Sequence, residues 1–138
     1  MVVQARKTIL NEMVSQIDAA VAAFGSVLEG PLGTNDLSNS AFPVCIVWPV
    51  GGAARSNVTP TQEFDTFFNV QIVVDSSSTT DTLLDLDEAV VDAINADVTL
   101  NGSCIFCDVR DDDTMLWKRG SNKYILREYF VQYRRDFV

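Results

Sequence analysis

The last sixteen residues of the chain, 123–138, constrain the fold most, because they read as a long strand with two apolar faces. Aromatic and β-branched side chains recur at alternate positions, and successive side chains of a strand leave opposite sides of a sheet. One set includes Ile125 and Tyr129, and the other includes Leu126 and Phe130. A strand with two apolar faces needs other structural elements packed on both of them. We expect the chain's own helices to supply one cover, and a neighbouring copy of the chain is a candidate for the other.

Hydrophobic periodicity divides the rest of the chain into helices, strands and turns. Residues 76–80 are a polar turn that supplies the N-cap of the second helix. The sequence predicts a helix at 4–28, strands at 42–50 and 63–75, a helix at 81–96, and strands at 104–110, 115–119 and 123–138. This order predicts a single α+β domain over 1–138, with a mostly antiparallel sheet of about five strands and two helices on one face. Residues 51–62 are expected to form an exposed arm between paired strands.

Charge and composition exclude several function classes. The 138 residues carry a net charge of −9 and no histidine. An acidic surface repels duplex DNA, which argues against regulation by direct phosphate contact. The lack of histidine excludes serine–histidine and cysteine–histidine nucleophile systems. We therefore expect no enzyme activity and no cofactor. No apolar run is long enough to span a bilayer and no signal-peptide pattern opens the chain, so a soluble intracellular protein is expected.

Two groups of residues could in principle hold a metal. Cys45, Cys104 and Cys107 supply three thiols, whereas a structural zinc site of the usual kind needs four cysteine or histidine ligands. Cys104 and Cys107 lie in a strand-like run rather than at the start of a helix, which favours buried, reduced thiols. The run Asp111–Asp113 lacks the spacing of a calcium loop. It can be a solvated turn, a metal site or an acidic contact surface.

Aromatic and basic residues leave further alternatives open. Trp48 and Trp117 are typical of a core, although either could stack on a ligand. Basic side chains concentrate near the C-terminus, where they could form a DNA patch, pair with the acidic remainder of another copy, or protect a sheet edge from mispairing. They are Lys118, Arg119, Lys123, Arg127, Arg134 and Arg135.

Four stretches together resemble a known family. They are FPVCIVWP after the first helix, EFDTFFNVQIVV, LLDLDEAVVDAI in the second helix, and REYFVQYRRDF at the end. Their order is similar to that of the tail-terminator, or tail-completion, proteins of long-tailed bacteriophages. The resemblance covers nearly the whole chain and rests on element order, with Tyr129, Tyr133 and the closing Arg135-Asp136-Phe137 as its most specific part.

The resemblance implies a function by assembly. Family members form a homo-oligomeric, hexameric ring on the finished end of the tail tube, where they stop addition of tail tube protein and present a surface to the neck, or head-completion, protein. They do no covalent chemistry, bind no membrane, and let DNA pass through without specific binding. The expected location is the virion tail, assembled in the host cytoplasm.

Three sets of site residues follow from this reading. A lumen through which DNA slides should repel a duplex that carries one charge per about 1.7 Å of axis, and the candidates for that lumen are Asp111, Asp112 and Asp113. The arm is expected to contact the tube through Gly51, Gly52, Arg55, Asn57 and Thr59. The candidates for a subunit interface are Arg127, Tyr129, Tyr133, Arg134 and Arg135.

Two rival functions remain at this stage. The protein could be a neck or head-closure protein, or a tube-like subunit, of the same virion. Alternatively, it could be a small acidic ligand-binding domain or enzyme whose site uses carboxylates with Trp48 or Trp117. The missing histidine argues against the second rival.

Overall fold

The computed structural model describes residues 4–31, 41–58 and 61–136, and it describes no side chains at 52–58, 61–62, 110–113 and 135–136. Two helices and five strands lie in these ranges, and they confirm the predicted α+β class. The helices are α1 (Arg6–Ala20) and α2 (Thr80–Ala96). The strands are β1 (Ser26–Glu29), β2 (Val44–Val58), β3 (Thr61–Val74), β4 (Phe106–Arg119) and β5 (Asn122–Asp136).

The strands form one mostly antiparallel sheet in the order β1-β2-β3-β5-β4. Only the β1–β2 pair is parallel. β2 with β3 and β4 with β5 are hairpins, and β3 also pairs with β5 along its length. β5 therefore lies inside the sheet with a partner on each side.

Both helices cover the same face of the sheet. In the register of β3 and β5, Phe68 lies opposite Tyr129 and Ile72 lies opposite Ile125, and all four side chains are buried. The helices add residues spaced three or four apart, as one stripe of a helix requires. These residues are Ile9, Met13 and Ile17 from α1 and Leu83, Leu86, Val90, Ala93 and Ile94 from α2. The predicted packing of two helices on one face is confirmed.

The first helix is shorter than the predicted range of 4–28. It ends at Ala20, and Ser26–Glu29 forms β1 in parallel register with the start of β2. Val21 and Phe24 still reach the core, with 7% and 8% of their surface exposed. The helical spacing of apolar residues therefore continues beyond the last residue of α1, which is why the predicted helix was too long. The missed signal was Gly25, which favours termination of a helix.

Gly25 lies where the chain enters β1 and touches the segment before β2. Its N–H donates to the carbonyl oxygen of Pro43 at 2.9 Å. A Cβ at this position would lie 2.5 Å from the carbonyl oxygen of Ala41 and 2.8 Å from that of Phe42. No side-chain rotation relieves such contacts, because the neighbouring atoms belong to the backbone.

We expect Gly25→Ala to lower the free energy of unfolding by about 1–3 kcal/mol, the usual cost of overpacking. Urea denaturation followed by circular dichroism measures this loss. Ala23→Ser is a suitable control, because Ala23 is exposed and surface substitutions usually stay within about 0.5 kcal/mol. Equal stability of Gly25→Ala and the parent protein would contradict the close approach.

The range 51–62, predicted as an exposed arm, lies mostly in strands. β2 continues to Val58 and β3 begins at Thr61, so most of this range belongs to paired strands. The pairing shifts between Val50 and Gly52, and Gly51 adopts a φ of 58°. The glycines therefore mark a bulge rather than a loop, which is the other common meaning of glycine in a strand.

The two strands predicted at 104–110 and 115–119 are one strand, β4. Its register against β5 shifts between Val109, opposite Tyr129, and Thr114, opposite Arg127. Between these two pairs, β4 therefore advances by five residues while β5 advances by only two. Asp111–Asp113 lie in this irregular part of an outer strand and not at a turn, while their side chains fall outside those that the structure describes.

Candidate interaction surface

The face of the sheet turned away from the helices carries a second apolar cluster. Val44, Ile46 and Val73 form its centre and are at most 2% exposed. Partly buried side chains surround them, namely Leu28, Phe42, Trp48 and Tyr124. Within the described residues neither helix contributes to this cluster, because the buried residues of both belong to the other face. We refer to this side of the sheet as the open face.

Aromatic rings extend the open face along β3, β4 and β5. Phe130 lies 5.6 Å from Phe67 and 5.7 Å from Phe106, measured between ring centroids. Trp117 stacks on Tyr124 at 5.1 Å with an angle of 5° between the rings. All five side chains are half buried. Aromatic residues of this kind are enriched at protein–protein interfaces.

The two outer strands leave much of their backbone unpaired within the described part of the chain. β1 covers β2 only from Val44 to Val47, so the later residues of β2 pair on one side, with β3. β4 has β5 on one side, while at its start the N–H of Cys107 donates to the carbonyl oxygen of Val98 at 2.7 Å. Unpaired edges of this length are able to accept a strand from another chain.

A buried ion pair joins α2 to β5 beneath the helices. Nη2 of Arg127 lies 2.6 Å from Oδ2 of Asp87, and its Nε donates to Oδ1 at 3.1 Å. Arg127 is 7% exposed and Asp87 is 3% exposed. The hydrogen bond to Asp87 raises the pKa of Arg127 above its ordinary value. Asp87 was not predicted as a functional or structural residue, although a carboxylate within the apolar stripe of α2 is a signal of a buried cationic partner.

Tyr129 lies beside this pair in the core. It is fully buried, and its hydroxyl has no hydrogen-bond partner among the described residues. Burial raises the pKa of its phenol, and the nearby charge of Asp87 adds to the shift. The phenol therefore stays neutral, and the side chain acts mainly as a large apolar group of the core.

The structure separates the five residues predicted for a subunit interface. Arg127 and Tyr129 belong to the core, and Tyr133 is 7% exposed and stacks on Phe64 at 5.2 Å. These three side chains therefore do not form the surface that the sequence analysis assigned to them. Arg134 is exposed on the open face and pairs with Glu63 at 3.2 Å. The side chain of Arg135 lies outside those described.

The residues of the predicted arm are placed along β2, although most of their side chains are not described. Gly51 is exposed at the bulge. Gly52, Arg55 and Asn57 follow in the strand, and Thr59 lies outside the described residues. Their contacts with a partner stay a prediction.

The three thiols are buried in the helix-side core. Burial raises the pKa of Cys45 and Cys107, and it raises that of Cys104 to about 12. Such thiols are poor nucleophiles at neutral pH. No group of three or more histidine, cysteine, aspartate or glutamate side chains that could hold a metal occurs in the described part of the chain.

Comparison with known proteins adds no family. Neither a scan against protein-family models nor a search of curated proteins finds a match to this chain. Among the described residues, no helix combines the length and apolarity that crossing a membrane requires.

Proposed function

We propose that this protein is a virion-assembly protein, a tail terminator whose copies form a ring on the end of a phage tail tube. The open face carries the proposal, because a sheet in a soluble domain usually buries one face and solvates the other with polar residues. Here the second face presents Phe67, Phe106, Phe130, Trp117 and Tyr124. These rings are half buried, and aromatic side chains that remain partly accessible on a sheet face favour a role in binding other chains.

The end of the sheet formed by β2, β3 and β5 suits contact with a tube. Beyond Val47, β2 does not pair with β1. The first residue of β4 pairs with Gln132, and β5 continues beyond that residue. At this end of the sheet, β2, β3 and β5 therefore extend beyond both outer strands. The last described pair of β3 and β5 here is Thr61 with Asp136. In the proposed function, this projection contacts the last ring of tube subunits, and the opposite side of the ring faces the neck.

Charge supports the same role. The net charge of −9 disfavours retention of DNA inside a ring. The backbone places Asp111–Asp113 in the irregular segment of β4. In a ring with this segment directed inward, the three carboxylates would repel the passing duplex. Six subunits are the number that the family resemblance suggests.

Tail length tests the proposed function. When the gene is silenced in the phage that encodes it, we expect electron micrographs to show tails far longer than normal, because tube addition no longer stops. A plasmid copy of the gene should restore normal length. Tails of normal length without heads would instead assign the protein to the neck. Normal, fully assembled virions would contradict both assignments.

A further inference from the structure

Two opposite edges of the sheet carry backbone that pairs on one side only. Among the described residues, β2 pairs with β1 no further than Val47, so residues 48–58 have only β3 beside them. At the other edge, residues 108–119 of β4 have only β5 beside them in the described part of the chain. Such edges present unpaired N–H and C=O groups to an approaching strand. We call these two segments the β2 edge and the β4 edge.

The two edges match in length and in direction. Through β3, the β2 edge lies level with residues 128–136 of β5, and the β4 edge lies opposite residues 122–130. Each edge therefore spans nine residues of β5, which is about 30 Å of strand. The three pairings from β2 through β3 and β5 to β4 are all antiparallel, so β2 and β4 run in opposite directions. The β4 edge of one copy therefore meets the β2 edge of another in antiparallel orientation when the sheet continues.

Exposed apolar side chains concentrate on these edges. Five large apolar side chains are exposed in the described part of the chain, and three of them lie here: Met115 at 61%, Leu116 at 49% and Val50 at 36%. Met115 and Leu116 are successive residues of β4 and point to opposite faces of the sheet. A partner packed on one face covers only one of them. A strand added beside β4 covers both, because its own side chains also alternate between the two faces.

Both edges are interrupted by extra residues. The register of β2 shifts at Gly51 and again at Arg55. The carbonyl oxygen of Gly51 already accepts the hydroxyl of Thr66 at 2.7 Å and needs no partner from another strand. The register of β4 shifts within residues 110–113. Interrupted edges fit a regular strand poorly, which is one way in which sheets avoid unwanted pairing. A strand with its own extra residue at the matching position fits them better.

Alignment of the two edges over their full length brings these interruptions together. Arg119 of one copy then lies opposite Trp48 of the next, and Asp108 lies opposite Val58. In this register, the acidic segment 110–113 of β4 comes beside Arg55 of the next copy. Arg55 is the one basic residue in the sequence of β2. A single alignment therefore satisfies length, direction, interruption and charge.

We propose that the β4 edge of one copy pairs with the β2 edge of the next copy in this register, so that one sheet continues from subunit to subunit. Met115 then lies opposite Ala53, and Trp117 lies opposite Val50. Pro49 supplies no N–H, so the hydrogen bonds begin at Val50. The contact joins two different surfaces of one chain, and such head-to-tail contacts close into a ring when the rotation between copies allows it. This inference rests on the ring of the proposed function and leaves the open face available to other chains.

The stagger of the alignment is compatible with a closed ring. Each copy is displaced from its neighbour by six residues of β5, from 122 to 128, which is about 20 Å along the strands. The four strands β2, β3, β5 and β4 together span about 19 Å across the sheet. The strands are therefore inclined by about 45° to the ring axis, close to the tilt of about 35–45° that closed barrels have.

Cross-linking through introduced cysteines tests the pairing. We expect a mixture of Ala53→Cys and Met115→Cys proteins to form a disulfide-linked dimer under mild oxidation, because opposite Cβ atoms of antiparallel strands lie about 4.5–5.5 Å apart. The double variant should give a ladder of linked copies. The three native cysteines are buried and serve as an unreactive background. A mixture that gives no dimer at millimolar concentration would overturn the contact.

Three controls use the same chemistry. Val58 is four residues of β5 further along than Ala53 and on the same face, about 14 Å away. A mixture of Val58→Cys with Met115→Cys should therefore give no dimer. Ala53→Cys alone and Met115→Cys alone should also stay unlinked. Dimers from either single variant would indicate a two-fold contact, and equal linking through Val58 would show that the edges have no fixed register; either result overturns the proposal.

Charge exchange at the interruptions gives a second readout. We expect Arg55→Glu to weaken self-association at low salt at least about tenfold, since like charges then meet, and Asp111→Lys with Asp113→Lys to do the same. An equimolar mixture of these two variants should regain assembly, because alternating copies restore opposite charges at every contact. Sedimentation velocity measures the association.

Matched controls change the same kinds of charge elsewhere. Arg6→Glu and Asp18→Lys alter exposed positions of α1, and these variants should assemble like the parent protein. Edge variants that assemble as well as these controls would overturn the alignment. A mixture of edge variants that associates as weakly as its components would do so too.

The two proposals fail in different ways. If the Ala53 and Met115 variants do not cross-link while loss of the gene still gives overlong tails, the edge contact is wrong and the tail-terminator function stands. If the pair cross-links as expected while loss of the gene leaves tail length unchanged, the contact stands and the function is wrong.

Discussion

Arg127→Met is expected to lower the free energy of unfolding by about 3–5 kcal/mol, because it leaves the buried carboxylate of Asp87 without its cation. The guanidinium lies 2.6 Å from that carboxylate, and both side chains are at least nine-tenths buried. Total stabilities of single domains are about 5–15 kcal/mol. The variant should therefore unfold at a much lower urea concentration, measured by circular dichroism.

A double variant separates the buried charge from other effects of the substitution. Arg127→Met combined with Asp87→Leu should recover most of the loss, because apolar replacement of a whole buried pair is often neutral. A single variant as stable as the parent protein would contradict the buried pair between α2 and β5.

Phe68→Ala is expected to cost about 3–5 kcal/mol, the usual loss for removal of a fully buried aromatic side chain. Phe68 is 0% exposed beneath the helices and lies opposite Tyr129 in the sheet. The neighbouring phenylalanine provides a matched control on the same strand. Phe67 points to the open face, is half buried, and contacts Phe130.

The difference between the two phenylalanines tests whether the second face is open. For Phe67→Ala we expect a loss of about 1 kcal/mol, typical of a partly exposed site. Urea denaturation of the dilute protein measures both variants under one set of conditions. Equal losses at the two positions would show that the open face is as well covered as the core, and would remove the main support for a binding surface there.

Strong periodicity made part of the fold predictable. β3 was predicted at 63–75 and runs from Thr61 to Val74, and α2 was predicted at 81–96 and runs from Thr80 to Ala96. Both segments combine a clear apolar period with a clear boundary. The N-cap predicted within the polar turn is Thr79, whose hydroxyl accepts the N–H of Thr82 at 3.2 Å.

The errors in the predicted secondary structure arose where the same residue pattern is compatible with two different structures. The apolar spacing through Val21 and Phe24 suited a helix, but these residues follow α1 and still enter the core. Gly51 read as a loop and is a bulge in β2. The acidic run in β4 read as a turn, whereas long-range pairing with β5 keeps it within a single strand. Sequence alone does not reveal such pairing.

The candidate surface was less predictable than the fold. Alternation showed that β5 has two apolar faces, but it did not show which face the helices cover. Arg127 and Tyr129 were therefore assigned to an interface although they lie in the core. The register of β5 against β3 and β4 makes the distinction, because it places Phe130 beside Phe67 and Phe106 on the other face.

The mass of the protein in solution and on tail tubes tests most directly whether it works by associating with copies of itself. Multi-angle light scattering across a concentration series, with negative-stain microscopy of mixtures with tube ends, measures it. We predict closed rings whose mass is a whole-number multiple of 15.2 kDa. A 15.2 kDa monomer at every concentration that also forms no ring on tube ends would contradict this account.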